Sequence, residues 1–266
     1  MKLAAIYNAW ADCADLLVKS INNISPVVDL VIVIWSVRSN KGEELPFMVL
    51  STDPKVVLVQ VEPIRHFSPA QNETMKRNAG LDYARANLCT HFLVMDSDEF
   101  YLQADVEREK ERMERENLNG LVCGLRVYVK EPTLWCEDHT LVPFIQKLTP
   151  EVNLGDYRHY PFTYDKDHRC HIDPTRRPSH VSRIGWSDIV MHHYSYVRQD
   201  IDLKIRNSSA ILERSRDVIL KELREARPGW MSLLYHRELK ECEDLFKIKG
   251  AETLTDSGPP LTVNHP

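Results

Sequence analysis

Apolar and polar positions switch between two periods over the first hundred residues. Lys2–Tyr7 is a short apolar run and reads as a strand. Ala11–Ile21 places Leu16, Leu17, Val18 and Ile21 at helical spacing. Val27–Val37 is rich in β-branched residues, which predicts a buried strand, and Lys55–Val61 predicts another. Pro69–Ala86 is helical in composition, with Met75, Ala79, Leu81, Tyr83 and Ala84 on its apolar side. His91–Met95 is a fourth strand, running directly into Asp96-Ser97-Asp98-Glu99-Phe100. Strands alternating with helices predict an α/β fold: a mostly parallel, Rossmann-like sheet flanked by helices. Ligands of such sheets bind beyond the carboxyl ends of the strands, where Asp96 and Asp98 would sit.

The pattern then changes. Glu107–Asn117 is dense in both charges and predicts a solvated helix held by i,i+4 pairs. Strands are predicted over Leu121–Lys130, Leu141–Leu148 and Ile184–Tyr196, around an irregular stretch at 150–185 rich in His, Arg, Asp, Pro and Tyr. Long irregular stretches of this kind are often functional loops. A long helix is expected over Asp200–Arg224 and a second over Met231–Phe246. The division is therefore a catalytic unit at 1–200 (halves 1–101 and 120–200), a C-terminal helical extension at 200–252 and a tail at 253–266.

Composition narrows the class. Among 266 residues, 34 Lys and Arg face 39 Asp and Glu, a net charge of −5, with 43% hydrophobic residues. That balance suits a folded domain and excludes a mainly disordered chain or a collagen. It argues against a surface wrapped in nucleic acid, leaving room for a local basic groove. The most apolar run, Val27–Val37, is broken by Asp29 and is far short of the roughly 20 residues of a membrane span. No secretory signal is legible, so the expected location is cytoplasmic, in a bacterium or a virus-infected host. The six cysteines contain no C-x-x-C pair, and His168-Arg169-Cys170-His171 lacks the second cluster that a zinc site needs.

The chemistry concentrates in the acids. In extended backbone, residues i and i+2 point the same way, so Asp96 and Asp98 would converge beyond the strand end. Two carboxylates that close repel unless a cation joins them. Oxygen ligands favour Mg²⁺ or Mn²⁺, which would neutralise a departing diphosphate.

The block NETMKRNAGLDYARANLCTHFLVMDSDEFY, residues 72–101, resembles the donor-binding half of GT-A fold nucleotide-sugar glycosyltransferases, most closely the family-2-like inverting group. The matching residues are Arg77, Asn78 and Gly80 on the helix, and Asp96 and Asp98 after the strand. Ile6-Tyr7-Asn8 and the strand DLVIVIWS are similar to the first βαβ unit of that family. The resemblance covers residues 1–100 well and 120–210 loosely. It implies a metal-dependent transfer of a sugar from a nucleotide-diphosphate sugar to a hydroxyl acceptor: a glycan, a lipid-linked saccharide or a modified nucleic-acid base.

The resemblance also implies roles. Asn8 would flank the nucleobase, and Lys76 and Arg77 would lie beside the donor. Asp96 would face the sugar or ribose and share the metal with Asp98. A late histidine would add a ligand; of His192 and His193, which point to opposite faces of a strand, His192 is favoured. Arg198 and Lys204 would hold the diphosphate. The general base of an inverting enzyme is drawn from Glu137, Asp138, Asp173 and Asp188. Arg169, Arg176, Arg177, Arg183 and His180 would form a basic surface for an anionic acceptor. Many relatives carry Asp-Asp-Gly-Ser after the second strand, where this chain has Trp35-Ser36-Val37-Arg38, so the motif does not name the donor base. Two other functions share these residues: a nucleotidyltransferase, disfavoured by the lack of a Gly-rich phosphate loop, and a non-catalytic nucleotide-sugar-binding protein.

Overall fold

The computed structural model describes residues 1–13, 15–45, 53–155, 171–208 and 216–248. Strands β1 (Leu3–Ala9), β2 (Leu30–Trp35), β3 (Val56–Gln60) and β4 (His91–Asp96) lie parallel in the order β3-β2-β1-β4. β1 is central and buried on both faces, as its unbroken apolar run requires. Leu3, Ala5 and Tyr7 belong to one core cluster, and Ala4 and Ile6 to another. Helix α1 (Leu17–Ile24) packs into the first cluster and helix α2 (Pro69–Ala86) into the second.

Helix α2 begins where its sequence says it should. Ser68 and Gln71 form a reciprocal capping box, and Pro69 occupies the first turn. Gly80 lets this helix lie against β1, since a Cβ there would collide with Ile6 Cγ2. The helix predicted over 11–21 is a 3-10 turn at Ala11–Cys13 followed by α1.

The other half of the sheet is mixed rather than parallel, a correction to the sequence expectation. Its strands are β5 (Glu99–Phe100), β6 (Gly120–Val129), β7 (Leu134–Lys147), β8 (His171–Ile172), β9 (Ile184–Tyr196) and β10 (Lys240–Glu241), with α3 (Gln103–Glu116) between β5 and β6. The full order is β3-β2-β1-β4-β7-β6-β9-β5, with β8 and β10 pairing β7. Only residues 130–133 join β6 to β7, so the two must run antiparallel. β7 also runs antiparallel to β4, and β9 lies parallel to β6.

The C-terminal region also departs from expectation. The long helix ends at α4 (Ile201–Asn207), where Ser208 turns extended, and α5 (Arg216–Glu225) follows. Met231–Phe246 contains no helix. Gly229 and His236 both have positive φ, and Leu239 is buried beside Val129, Leu134 and Cys136 while β10 adds to β7. Pairing with a strand edge displaces the helix that composition favours. Among the described residues no helix is long and apolar enough to cross a membrane.

Candidate functional site

The chain leaves β1 for β2 and β3 on one side and returns to β4 on the other, so the order in which the parallel strands are laid down reverses between β1 and β4. A crevice opens outside the carboxyl ends at such a point. Asn8 and Asp96 are register partners there. A cavity of about 540 Å³ extends from these strand ends past α2 to Asp138 on β7 and the cleft face of β9.

The two acids of the Asp-x-Asp motif have different surroundings. Asp96 lines the cavity, with Oδ1 3.0 Å from Arg77 and Oδ2 2.6 Å from Arg176. Burial opposes its charge, but Arg176 and Arg77 outweigh that and hold the carboxyl below its usual range. Asp98 is wholly buried and does not itself line the cavity. Its Oδ2 lies 2.7 Å from Arg198, 3.3 Å from Lys204 and 3.5 Å from His193 Nε2. Burial again opposes ionisation, and Lys204, Arg198 and His193 hold the carboxyl well below the usual range. Glu99, pushed up by burial, is gripped by Arg176 and accepts the Asp96 N–H at 2.9 Å.

The Lys-Arg-Asn-x-Gly segment of α2 divides its labour. Lys76 faces the cavity. Arg77 does not: its side chain is fully buried, bonded to Glu73 at 2.6 Å and Thr175 as well as Asp96. It is a clamp that fixes Asp96, not the donor ligand expected of it. Asn78 exchanges two hydrogen bonds with the Leu154 backbone, pinning that loop to the helix.

The histidines separate by strand pleat. Met191, His193 and Ser195 line the cavity, while His192 and Tyr194 face the opposite side. His192, the favoured ligand from sequence, is 3% exposed among aromatic rings, with Nδ1 2.8 Å from the Tyr128 hydroxyl. Burial pushes its pKa down to about 4. His193 meets the acids instead; burial opposes its protonation, but Asp98 prevails and raises the pKa.

The four base candidates also separate. Asp188 is on the surface, accepting from Trp186 Nε1 at 3.2 Å, and Glu137 is exposed beside Lys240. Asp173 lines the cavity but is committed: it caps the 3-10 turn Pro174–Arg176, and Arg77 and Arg176, overcoming burial, keep it ionised. Asp138 lines the cavity, and the protein groups donating to it are the N–H and hydroxyl of Thr140, both on Oδ1.

Arg198, expected on the diphosphate, is buried between Asp15 and Asp98, at 2.7 Å from each. Lys204, which shares Asp98, lines the cavity in its place. Of the expected basic surface, Arg176 is spent internally, while Arg183 and His180 stay exposed. Arg176 is buried in ion pairs, Arg177 donates to the Ile172 carbonyl and Arg183 to that of Glu116. Arg169 and the segment His168–Cys170 lie outside the described residues, as does the His171 side chain. Asp12 is a cavity residue that sequence reasoning missed, and Arg176, expected on the acceptor-side surface, instead holds Asp96. Asp12 had a usable signal, an acid three residues beyond the end of β1.

A divalent cation fits part of this site. Asp98 Oδ1 is buried without a hydrogen-bond partner, and Asp98 Oδ2 is 3.5 Å from the His193 nitrogen. A carboxylate and an imidazole are suitable donors for Mn²⁺. Asp96 has a guanidinium on each oxygen, and His192 faces away. Among the described residues no three His, Cys, Asp or Glu side chains are grouped to hold an ion alone. An ion on Asp98 and His193 would complete its shell from substrate phosphate and water. Among charged lining groups, Asp12, Glu73, Asp96, Glu99, Asp138 and Asp173 outnumber Lys76, Arg176 and Lys204. Even with Asp12 and Glu99 shifted upward by burial, the cavity favours a cation over a bare anion.

No family model and no curated protein matches the chain. Solved structures do. TarS 1-349 from S. aureus is 15% identical at a TM-score of 0.43, over 84% of this chain and 70% of that one. The same fragment in complex with UDP-GlcNAc is 13% identical at a TM-score of 0.44, over 84% and 71%. The chain spans 43% of the longer S. aureus TarS structure, at 14% identity and a TM-score of 0.42.

Proposed function

We propose that the protein is a metal-dependent, inverting glycosyltransferase of GT-A architecture that uses a nucleotide-diphosphate sugar. The observation that carries this reading is the placement of Asp96 at the β1/β4 crevice, with Asp98 buried behind it against His193, in a cavity that Asp138 also lines. Asp98 and His193 would hold Mn²⁺ or Mg²⁺, which when bound neutralises charge on the departing diphosphate. Lys204 adds a second positive charge on that side. Arg77 and Arg176 fix the orientation of Asp96 toward the donor.

Asp138 is the general base. It takes the proton of an acceptor hydroxyl as that oxygen bonds to the anomeric carbon and the bond from that carbon to the phosphate oxygen breaks. The sugar inverts, and the nucleoside diphosphate leaves with the electron pair. The acceptor is a hydroxyl compound; Arg176, one of the cations expected to face an anionic acceptor, is instead buried in ion pairs with Asp96 and Glu99.

Incubation with UDP-, CDP-, ADP-, GDP- and dTDP-sugars, with and without Mn²⁺, tests this. The expected result is release of the matching nucleoside diphosphate, abolished by chelation. Saturable donor binding without turnover in any arm, or release of pyrophosphate from a nucleoside triphosphate, would overturn it.

A further inference from the structure

Tyr235 lines the cavity from beyond residue 210, where the resemblance to the transferases ends. It sits on a hairpin of residues 229–239. The Gly229 N–H donates to the Leu239 carbonyl at 2.9 Å, and the Leu239 N–H donates to the Trp230 carbonyl at 2.8 Å. Two buried side chains hold the turn. Ser232 Oγ accepts the N–H of Leu234 at 3.3 Å and that of Tyr235 at 3.1 Å, and Glu222 Oε2 on α5 accepts that of Leu233 at 2.7 Å. Three successive N–H groups are thereby tied to buried acceptors, which fixes the backbone that carries the Tyr235 ring. The hairpin leads into β10 on the edge of β7, and Arg237 contacts the ring of His139, the residue after Asp138.

Tyr235 therefore enters a site whose other members are on β7 and β9. Burial raises its phenol well above the ordinary range, and Tyr196 and then Asp138 add to that, so the three groups are within electrostatic reach of one another. Tyr196 is also raised by burial, with Asp138 among the charges acting on it. Both phenols stay protonated, and each can donate one hydrogen bond and accept others. The same part of the lining mixes the hydroxyls of Thr140 and Ser195 with the apolar side chains of Leu141 and Met191. Among the described residues, no Lys or Arg lines the cavity from β6, β7, β9 or the hairpin.

This lining selects a chemistry. A phosphate beside Asp138 would meet a carboxylate with no cation from these elements to offset it. A saccharide has apolar C–H faces that lie against an aromatic ring, and a rim of hydroxyls that bond to phenols, hydroxyls and a carboxylate.

We infer that the hairpin of residues 229–239 completes the acceptor site, with Tyr235 positioning a hydroxyl of a neutral saccharide for Asp138. The inference rests on the transferase reading and adds to it the class of acceptor and a residue that recognises it.

The test uses the donor that releases its nucleoside diphosphate fastest, in Mn²⁺. Transfer to water is compared with transfer to the methyl glycosides of glucose, galactose and N-acetylglucosamine, with glucose phosphate and a short single-stranded DNA as anionic probes. The wild-type protein is expected to glycosylate at least one methyl glycoside and to prefer it to both anionic probes. Tyr235→Ala should raise the KM for that glycoside by about tenfold or more, while transfer to water and the calorimetric affinity for the nucleoside diphosphate stay within about twofold. Tyr235→Phe keeps the ring and its packing, so it carries the test if the alanine variant does not fold; it should raise the same KM by about threefold, the worth of one hydrogen bond. If transfer to water and to the glycoside fall in equal proportion, Tyr235 only packs and the inference fails. It fails equally if neither variant changes the KM, if an anionic probe is the better acceptor, or if donor is turned over and no glycoside accepts. A wild-type protein that turns over no donor would defeat the transferase reading itself, an outcome distinct from all of these.

Discussion

The two faces of β9 show how one strand supports two kinds of chemistry. On the cleft face, His193 lies against an ionic network in which Asp98 is matched by Arg198 and Lys204 from other elements. On the back face, one residue earlier, His192 sits among Tyr128, Tyr194, Phe100 and Phe246, with the Tyr128 and Tyr194 rings stacked 4.1 Å apart. The same residue type is held toward protonation on one face and neutral on the other. Charge in the cleft is maintained by partners, whereas on the back face it is excluded by packing. The cleft face can therefore exchange partners with a ligand, and the back face can only hold its shape.

Four experiments would break or sharpen that contrast. The largest effect is expected from Asp138→Asn, at a position two strands from His193 in the same sheet. Transfer should fall by about 10²- to 10⁴-fold, with nucleotide affinity unchanged by calorimetry, since only the proton acceptor is lost. Unchanged turnover would return the base to Asp173. Next, Asp98→Asn leaves Arg198 and Lys204 buried without their shared counter-charge and should cost about 3–5 kcal/mol in denaturant unfolding. A neutral effect would show that the network is not what holds the cleft face together.

Third is the back face. The folded pKa of His192 lies near 4 against an ordinary 6.5. The unfolded chain therefore binds a proton first as pH falls. Stability present above pH 6.5 is lost progressively toward pH 4, by up to about 3 kcal/mol. His192→Phe should flatten that acid limb in thermal melts at a series of pH values, and an unaltered slope would mean that the ring is not sealed from water. The smallest is Gly80→Ala, which forces α2 off β1 and should cost about 1–3 kcal/mol by overpacking. Its effect should be on stability, with the back-face pH profile untouched.

Much of this was legible locally. The limits of α2 and β9 were read from helical and strand-like composition, and both coincide with the observed elements. The acids after β4 were legible for the same reason, because a strand running straight into Asp-x-Asp says where the acids end up. Choosing His193 over His192 was not legible. Side chains alternate along a strand, but the phase is set by pairing, here Glu99 with His193 across β5 and a bulged register with β6. The Arg77 and Arg198 roles were hidden because a cation near a phosphate site and a cation clamping an acid look alike in sequence. Met231–Phe246 misled because its apolar residues serve the edge of β7 rather than one side of a helix.

The amino-acid order alone determined that a βαβ half would place two acids at the end of the fourth strand, since apolar and β-branched runs act over a few residues; their expected convergence fails because Ser97 and Asp98 form a turn and Asp98 is buried away from the cavity. Only the tertiary structure decided which cations those acids would meet, which histidine would turn toward them and which of the base candidates would line the cavity. Those outcomes depend on the burial and strand register of segments about a hundred residues apart, and no local pattern carries that information.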